Sequence, residues 1–141
     1  MDINDGKQSV YCFSCRGHEN ISAKHLTTIE VTKDSSVSLR GDCIVGVSAD
    51  FDAKDLQVFL DGATLLAFSF SCKSITEHLT ATFNHLFRAD REIVIRRGPF
   101  PSERTIATHA DKACVDLSKD FVEMIKNPKA AITVEIRRLS K

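Results

Sequence analysis

Residues 63–72, Ala-Thr-Leu-Leu-Ala-Phe-Ser-Phe-Ser-Cys, make one long apolar run. Such a run suits a β-strand covered on both faces, because a strand with one wet face alternates instead. Residues 78–83 do alternate, with Leu79, Ala81 and Phe83 turned inward and His78, Thr80, Thr82 and Asn84 turned out. Other segments read the same way. Residues 10–15 are β-branched and aromatic, and residues 26–32 set Thr27, Ile29 and Val31 against Thr28 and Glu30. After a turn at 33–36, Val37 and Leu39 share a face and residues 43–47 form a continuous apolar strand. Residues 92–97 and 132–136 repeat the period of two, with Thr133, Glu135 and Arg137 on a solvated side.

Two segments have helical spacing. Residues 52–60 place Leu56, Phe59 and Leu60 on one face, carry carboxylates in the first turn and stop at Gly62. Residues 111–126 place Cys114, Leu117, Phe121 and Met124 on one face. Thr108 with Asp111 resembles a capping box, Asn127-Pro128 ends the helix, and Lys112–Asp116 and Lys119–Glu123 are i,i+4 pairs. This order predicts an α+β fold, a mostly antiparallel sheet with two helices packed on one face. Residues 1–8 are expected as a flexible polar lead-in and 9–141 as a single domain.

Charge narrows the choice of partner. Lys plus Arg equals Asp plus Glu at 19 each, so the net charge is zero. That argues against a strongly basic nucleic-acid module, whose affinity comes from neutralised phosphates, and leaves room for a local basic face. No run of 18 apolar residues is present, which excludes a membrane-spanning helix. The start, Met1-Asp2-Ile3-Asn4-Asp5, lacks a signal peptide's basic and apolar regions. The five scattered cysteines are therefore expected as reduced thiols in the cytoplasm.

Two matching segments hold most of the candidate chemistry. Arg16-Gly17-His18-Glu19-Asn20-Ile21 with His25, and Arg40-Gly41-Asp42-Cys43 before an apolar run, each set an Arg-Gly pair beside hydrogen-bonding side chains. Together they are expected to wall one polar pocket. Cys43 with Asp42 and His18 or His25 would supply a thiol, an orienting carboxylate and a base. A cysteine entering an apolar strand is more often a small core residue. Cys12-x-x-Cys15 with His18 and His25 offers four zinc ligands, but residues three apart on a strand face opposite ways, which favours plain thiols. No nucleotide-binding, zinc-protease or serine-hydrolase motif is present, and no cofactor is expected.

The most distinctive loop is Arg96-Arg97-Gly98-Pro99-Phe100-Pro101-Ser102-Glu103-Arg104-Thr105. Arginine forks suit phosphate oxygens, and an aromatic in a basic setting stacks on a base. The competing reading is a solvated loop with Arg104 paired to Glu103 or to an acidic helix. Arg137, Arg138 and Lys141 are expected to extend the same basic face. The polar side of the Leu79 strand, with His78, Thr80, Thr82, Asn84 and His85, suits either a solvated face or a recognition floor.

The run Gly17-His18-Glu19-Asn20-Ile21-Ser22-Ala23-Lys24-His25-Leu26-Thr27-Thr28-Ile29-Glu30, followed by Arg40-Gly41-Asp42-Cys43-Ile44-Val45-Gly46-Val47, resembles the mainly archaeal family known as domain of unknown function 371. The match continues through Ile95-Arg96-Arg97, Arg104-Thr105 and Asp111-Lys112-Ala113, nearly the whole chain from Phe13 onward. The family carries no established reaction, so the resemblance implies no catalytic residues. A eukaryotic member of this type looks similar to the dormancy factor on idle microsporidian ribosomes around the tRNA exit site. That resemblance implies a ribosome-bound inhibitor of translation.

The reading favoured by the sequence is a non-catalytic, ribosome-associated RNA-binding protein. Its contacts are Arg96, Arg97, Phe100, Arg104, Arg137 and Arg138, and neither DNA nor a membrane is a partner. The alternative is a small hydrolase or isomerase built on His18, His25, Asp42 and Cys43, with Glu19 and Asn20 in its pocket and a metal on Cys12, Cys15, His18 and His25 as its variant.

Overall fold

The computed structural model describes residues 9–139; the lead-in at 1–8 and Lys141 lie outside the described residues. The elements run β1 (Val10–Arg16), β2 (Thr28–Thr32), β3 (Ile44–Gly46), α1 (Ala53–Leu60), β4 (Leu65–Cys72), β5 (Ile75–Phe83), β6 (Glu92–Arg96), β7 (Thr105–Thr108), α2 (Lys119–Ile125) and β8 (Ala131–Leu139). The eight strands form one sheet in the order β1-β8-β4-β5-β7-β6-β2-β3. Its two outer strands then meet. The Arg16 amide donates to the Val47 carbonyl at 2.7 Å, and the Val47 amide returns a bond to Arg16 at 2.8 Å. The Asp50 amide adds a bond to the Ser14 carbonyl at 3.0 Å, and the sheet closes on itself.

Register fixes what lines the inside. Phe13 pairs with Val134, Val134 with Phe70, and Phe70 with Glu77, while Ile136 pairs with Phe68 and Phe68 with Leu79. The apolar members of these rows are buried in one core cluster that also takes Leu56, Phe59 and Leu60 from α1 and Phe121 and Ile125 from α2. Both helices therefore pack on the sheet's concave face, near opposite ends of its strands. At one end, Arg138 near the end of β8 donates to the carbonyls of Phe59 and Asp61 that finish α1. At the other, Glu77 accepts from the Ser118 amide at 3.1 Å and from Lys112 Nζ at 3.4 Å, seating a carboxylate at the start of α2.

The α+β class holds, and the differences from expectation have local causes. The expected helix over 111–126 is α2 alone, preceded by a short 3-10 turn, Cys114–Asp116. Ser118 Oγ caps α2 by accepting from the Phe121 amide, whereas Asp111 is held by the Thr80 amide and hydroxyl. Lys112 pairs with Glu77 and Asp116 with Arg97, so the expected Lys112–Asp116 pair does not form; Glu123 pairs with Lys126 rather than Lys119. Val37 is buried and Leu39 exposed in a loop, not a strand. On β4 only one face is fully buried; Ala67, Ser69 and Ser71 on the other are half-buried. β7 escaped the pattern because all four of its residues are buried, so it shows no alternation.

Two neighbouring pairs break the antiparallel order. β2 and β3 are parallel, as are β6 and β7. A parallel step normally needs a crossover of about a dozen residues or more. The β6–β7 connection, residues 97–104, is shorter and retraces its path by irregular bonds. Asn84, buried rather than outward, holds that return: its Nδ2 donates to the carbonyls of Ser102 at 3.0 Å and Thr105 at 2.8 Å.

Gly17 is fixed by a close approach. A methyl group there would overlap the carbonyl oxygens of Ile125 and Asn127 at the end of α2, where the Gly17 amide donates to Ala130 at 3.1 Å. Neither carbonyl can yield without moving α2. Gly17→Ala is therefore expected to lower stability by about 2 kcal/mol or more, measured by urea unfolding. An unchanged midpoint would show that the α2 end is soft.

Candidate functional site

The outer faces of β2, β6 and β7 carry the polar residues that the strand pattern turns away from the core. Ile29, Ile93 and Ile95 point inward, which leaves Thr28, Glu30, Thr32, Val94 and Arg96 outside. This outer face is covered. Thr28, Glu30, Thr32 and Thr105 are all buried. A carboxylate in that position needs a partner. Arg104 supplies it, placing Nη2 3.2 Å from Glu30 and Nε 3.3 Å from Glu92. Glu30 also accepts from the Cys43 thiol at 3.5 Å. Burial raises the Glu30 pKa above the ordinary carboxylate value, and Arg104 pulls it back only in part.

Three of the four alternative catalytic residues gather here. His25 Nδ1 accepts from the Thr27 and Thr28 amides, each at 3.2 Å, and faces the Thr28 hydroxyl at 2.9 Å. That hydroxyl also bonds the Cys43 thiol. Asp42 joins through its backbone, its carbonyl accepting from the Lys24 and His25 amides. His18 is tied elsewhere, its Nδ1 accepting from the Asn20 amide and its own amide donating to Ile125 at the end of α2. Asn20 in turn donates to the Val37 carbonyl.

The chemistry of this group is that of a structural network. Burial, then the charge of Glu30, pushes the Cys43 thiol up to about 11, so it stays protonated at neutral pH. A cysteine nucleophile needs the reverse, a cationic neighbour that favours thiolate. His25 Nδ1 accepts from the amides of a turn and so orders residues 25–28. Cys114, also pushed up by burial, donates to the Cys43 carbonyl at 3.3 Å. The Cys12-x-x-Cys15 pair splits as its strand spacing requires, Cys12 exposed and Cys15 buried in the core. Among the described residues no group of three or more His, Cys, Asp or Glu side chains is placed to hold a metal.

The arginine loop lies beside the network. Arg96 on β6 donates from Nε to Thr105 Oγ1 at 2.8 Å, and its guanidinium sits 5.2 Å from the centre of the Phe100 ring. Phe100 is 61% exposed. The Arg97 amide donates to Thr27, and its Nη1 reaches Asp116 at 3.2 Å with the side chain 47% exposed. The loop is anchored on both flanks. The His109 amide donates to Gly98, the Arg88 amide to Glu103, and Ser102 Oγ lies 2.8 Å from Thr105 Oγ1.

The other two arginines stand apart. Arg137 is exposed on β8, and three strands separate β8 from β6 whichever way the closed ring is followed. Arg138 holds the α1 carbonyls and is structural. Neither extends the loop's face. His78, Thr80 and Thr82 are exposed on β5, with Thr80 engaged by Asp111, and His85 lies edge-on to Phe83. Sequence reasoning missed Glu30, Glu92, Thr105 and Asp116 as partners of the arginines. The available signal was Glu30 itself, a single carboxylate between Thr28 and Thr32 on a strand's outward stripe.

Comparison with known proteins gives two matches. The family model described as Domain of unknown function (DUF371) matches residues 13–139. An uncharacterized protein of Methanocaldococcus jannaschii is 27% identical, the alignment covering 86% of this chain and 95% of that protein.

Two outcomes check the site. Arg104→Ala leaves a buried carboxylate unpaired, so stability should fall by about 1–2 kcal/mol, with Glu30→Gln in the same chain restoring most of it. The Glu30 pKa is raised on folding, so its contribution favours the fold most below its ordinary value and is lost as pH rises through the folded value. The parent should therefore lose stability relative to Glu30→Gln between pH 4 and pH 7, read from urea midpoints. The second outcome concerns thiols. At neutral pH, iodoacetamide should modify exposed Cys12 first and half-buried Cys43 more slowly, while Cys15, Cys72 and Cys114 react only on unfolding. Early loss of Cys43 by peptide mass mapping would reopen it as a nucleophile.

Proposed function

We propose, starting from the fact that this chain belongs to the Domain of unknown function (DUF371) family, that it is a non-catalytic protein that binds RNA through the 96–104 loop. The observation that carries this reading is the exposed Phe100 ring packed against the Arg96 guanidinium on an anchored loop, where Arg97 follows Arg96 in the chain. Aromatic and guanidinium planes are the groups on which bases stack, and arginine donors match phosphate oxygens. Arg97 spends only Nη1 on Asp116, which leaves the rest of its fork for a second acceptor. Arg104 is committed to Glu30 and Glu92, so its role is to hold the loop down and it is the weaker contact.

The resemblance to a ribosome dormancy factor supplies the setting: a cytoplasmic protein whose RNA is ribosomal, holding idle ribosomes near a tRNA site. The protonated Cys43 and the turn-bound His25 weigh against the hydrolase alternative.

Co-sedimentation with ribosomes tests the reading. The parent should travel with ribosomes at low and moderate salt. Arg97→Ala should weaken that association and reduce the slope of log affinity against log salt by about one, while the melting temperature holds. Recovery of the parent in the soluble fraction at both salt concentrations defeats the proposal.

A further inference from the structure

Resting on the RNA reading above, we infer that the site takes a single unpaired nucleotide rather than duplex RNA: the exposed Phe100 ring takes the base, and Arg97, next to Arg96 in the chain, offers donors to a phosphate. The Arg96 guanidinium lies over the Phe100 ring at 5.2 Å and is pinned there by Thr105, so one face of the platform is already occupied. The residue is 61% exposed, so a base can approach the part of the ring that Arg96 does not cover. Bases within a duplex stack on one another and do not offer their faces, whereas nucleotides in loops and bulges splay out and do. Two prolines, Pro99 and Pro101, flank Phe100, and the bonds of Gly98 to His109 and of Ser102 to Asn84 fix the loop on either side. The ring is thus presented in place, and little conformational freedom is lost when a base lands on it.

Arg137 is on the far side of the closed sheet, and Arg138 is spent on α1, so neither lengthens the loop's basic surface toward a duplex-sized track. One stacked base with one or two phosphate contacts is the recognition unit this geometry supports.

Fluorescence anisotropy on the intact chain tests it with three probes: a single-stranded oligoribonucleotide, the same strand annealed to its complement, and the deoxyribonucleotide strand of the same sequence. The single strand should bind about tenfold or more tightly than the duplex, and Phe100→Ala should cost about tenfold on the single strand with no change of salt slope. Phe100→Tyr should keep the affinity, which separates stacking from a folding defect, since Phe100 is exposed and its ring is not in the core. A deoxyribonucleotide strand bound as well as RNA supports contacts made to base and phosphate alone. Equal binding of duplex and single strand, or full affinity in Phe100→Ala, overturns the inference while leaving RNA binding intact. Binding to none of the probes together with absence from ribosomes defeats the RNA reading itself.

Discussion

The paired backbone bonds between Arg16 and Val47 close the sheet, and the rest of the architecture depends on that closure. The closing pair sets the outer strands β1 and β3 against each other at Arg16 and Val47, which removes that end of the sheet as a template for strand addition. Its concave face is filled by the core, with α1 and α2 packed toward opposite ends of the strands. A site must then be built from loops or on the convex face. Gly17 belongs to this same constraint: the chain leaving β1 at the closing pair passes against the carboxyl end of α2, where a side chain does not fit.

The parallel steps decide where on the outside the site falls. Up-and-down strands joined by hairpins keep their connections at the ends of the sheet. Between β6 and β7 the chain must instead come back along its own path, and it does so through Arg97 to Arg104. The return places Arg104 on Glu30 and Ser102 on Thr105, and His25 and Cys43 meet Thr28, so the outward polar groups of β2 and β7 are buried although β5 keeps a wetter outer side. A covered carboxylate then demands a cation, and Arg104 is drawn onto Glu30 and Glu92. The loop's arginines are divided by that demand. One secures the fold, one braces an aromatic ring, and Arg97 is left with donors to spare.

Periodicity made the strands with a single buried face legible, and β4, β5 and β8 fall close to where alternation or apolar length places them. It failed where tertiary cover cancelled it. β7 is too short and too uniformly buried to show a period, and β2 looked half-solvated because its polar stripe is satisfied by partners far along the chain. The 111–126 segment has helical spacing throughout, yet Asp111 and Asp116 find better acceptor roles with Thr80, Ala113 and Arg97, and the helix begins only at Lys119, after the Ser118 cap. At the site, the arginine loop stood out by residue type alone. The separation of Arg137 from it did not, because ring order is not written in local spacing.

Net neutrality shapes what the loop can achieve. With equal numbers of acidic and basic residues, and Arg97 paired to Asp116, the field around the loop falls off within about one Debye length, roughly 8 Å at physiological ionic strength. Long-range steering toward a polyanion is then weak, and non-specific adhesion to any phosphate backbone is weak with it. Under the RNA reading, affinity must then come from contacts made at touching distance: a stacked ring and a shared guanidinium. Contacts so few are strong only when both sides are already in position. On the protein side, the prolines and the flanking bonds around Phe100 meet that condition. Under the RNA reading the partner must meet it too, which favours a folded RNA that holds one nucleotide out over a flexible strand that must be ordered on binding.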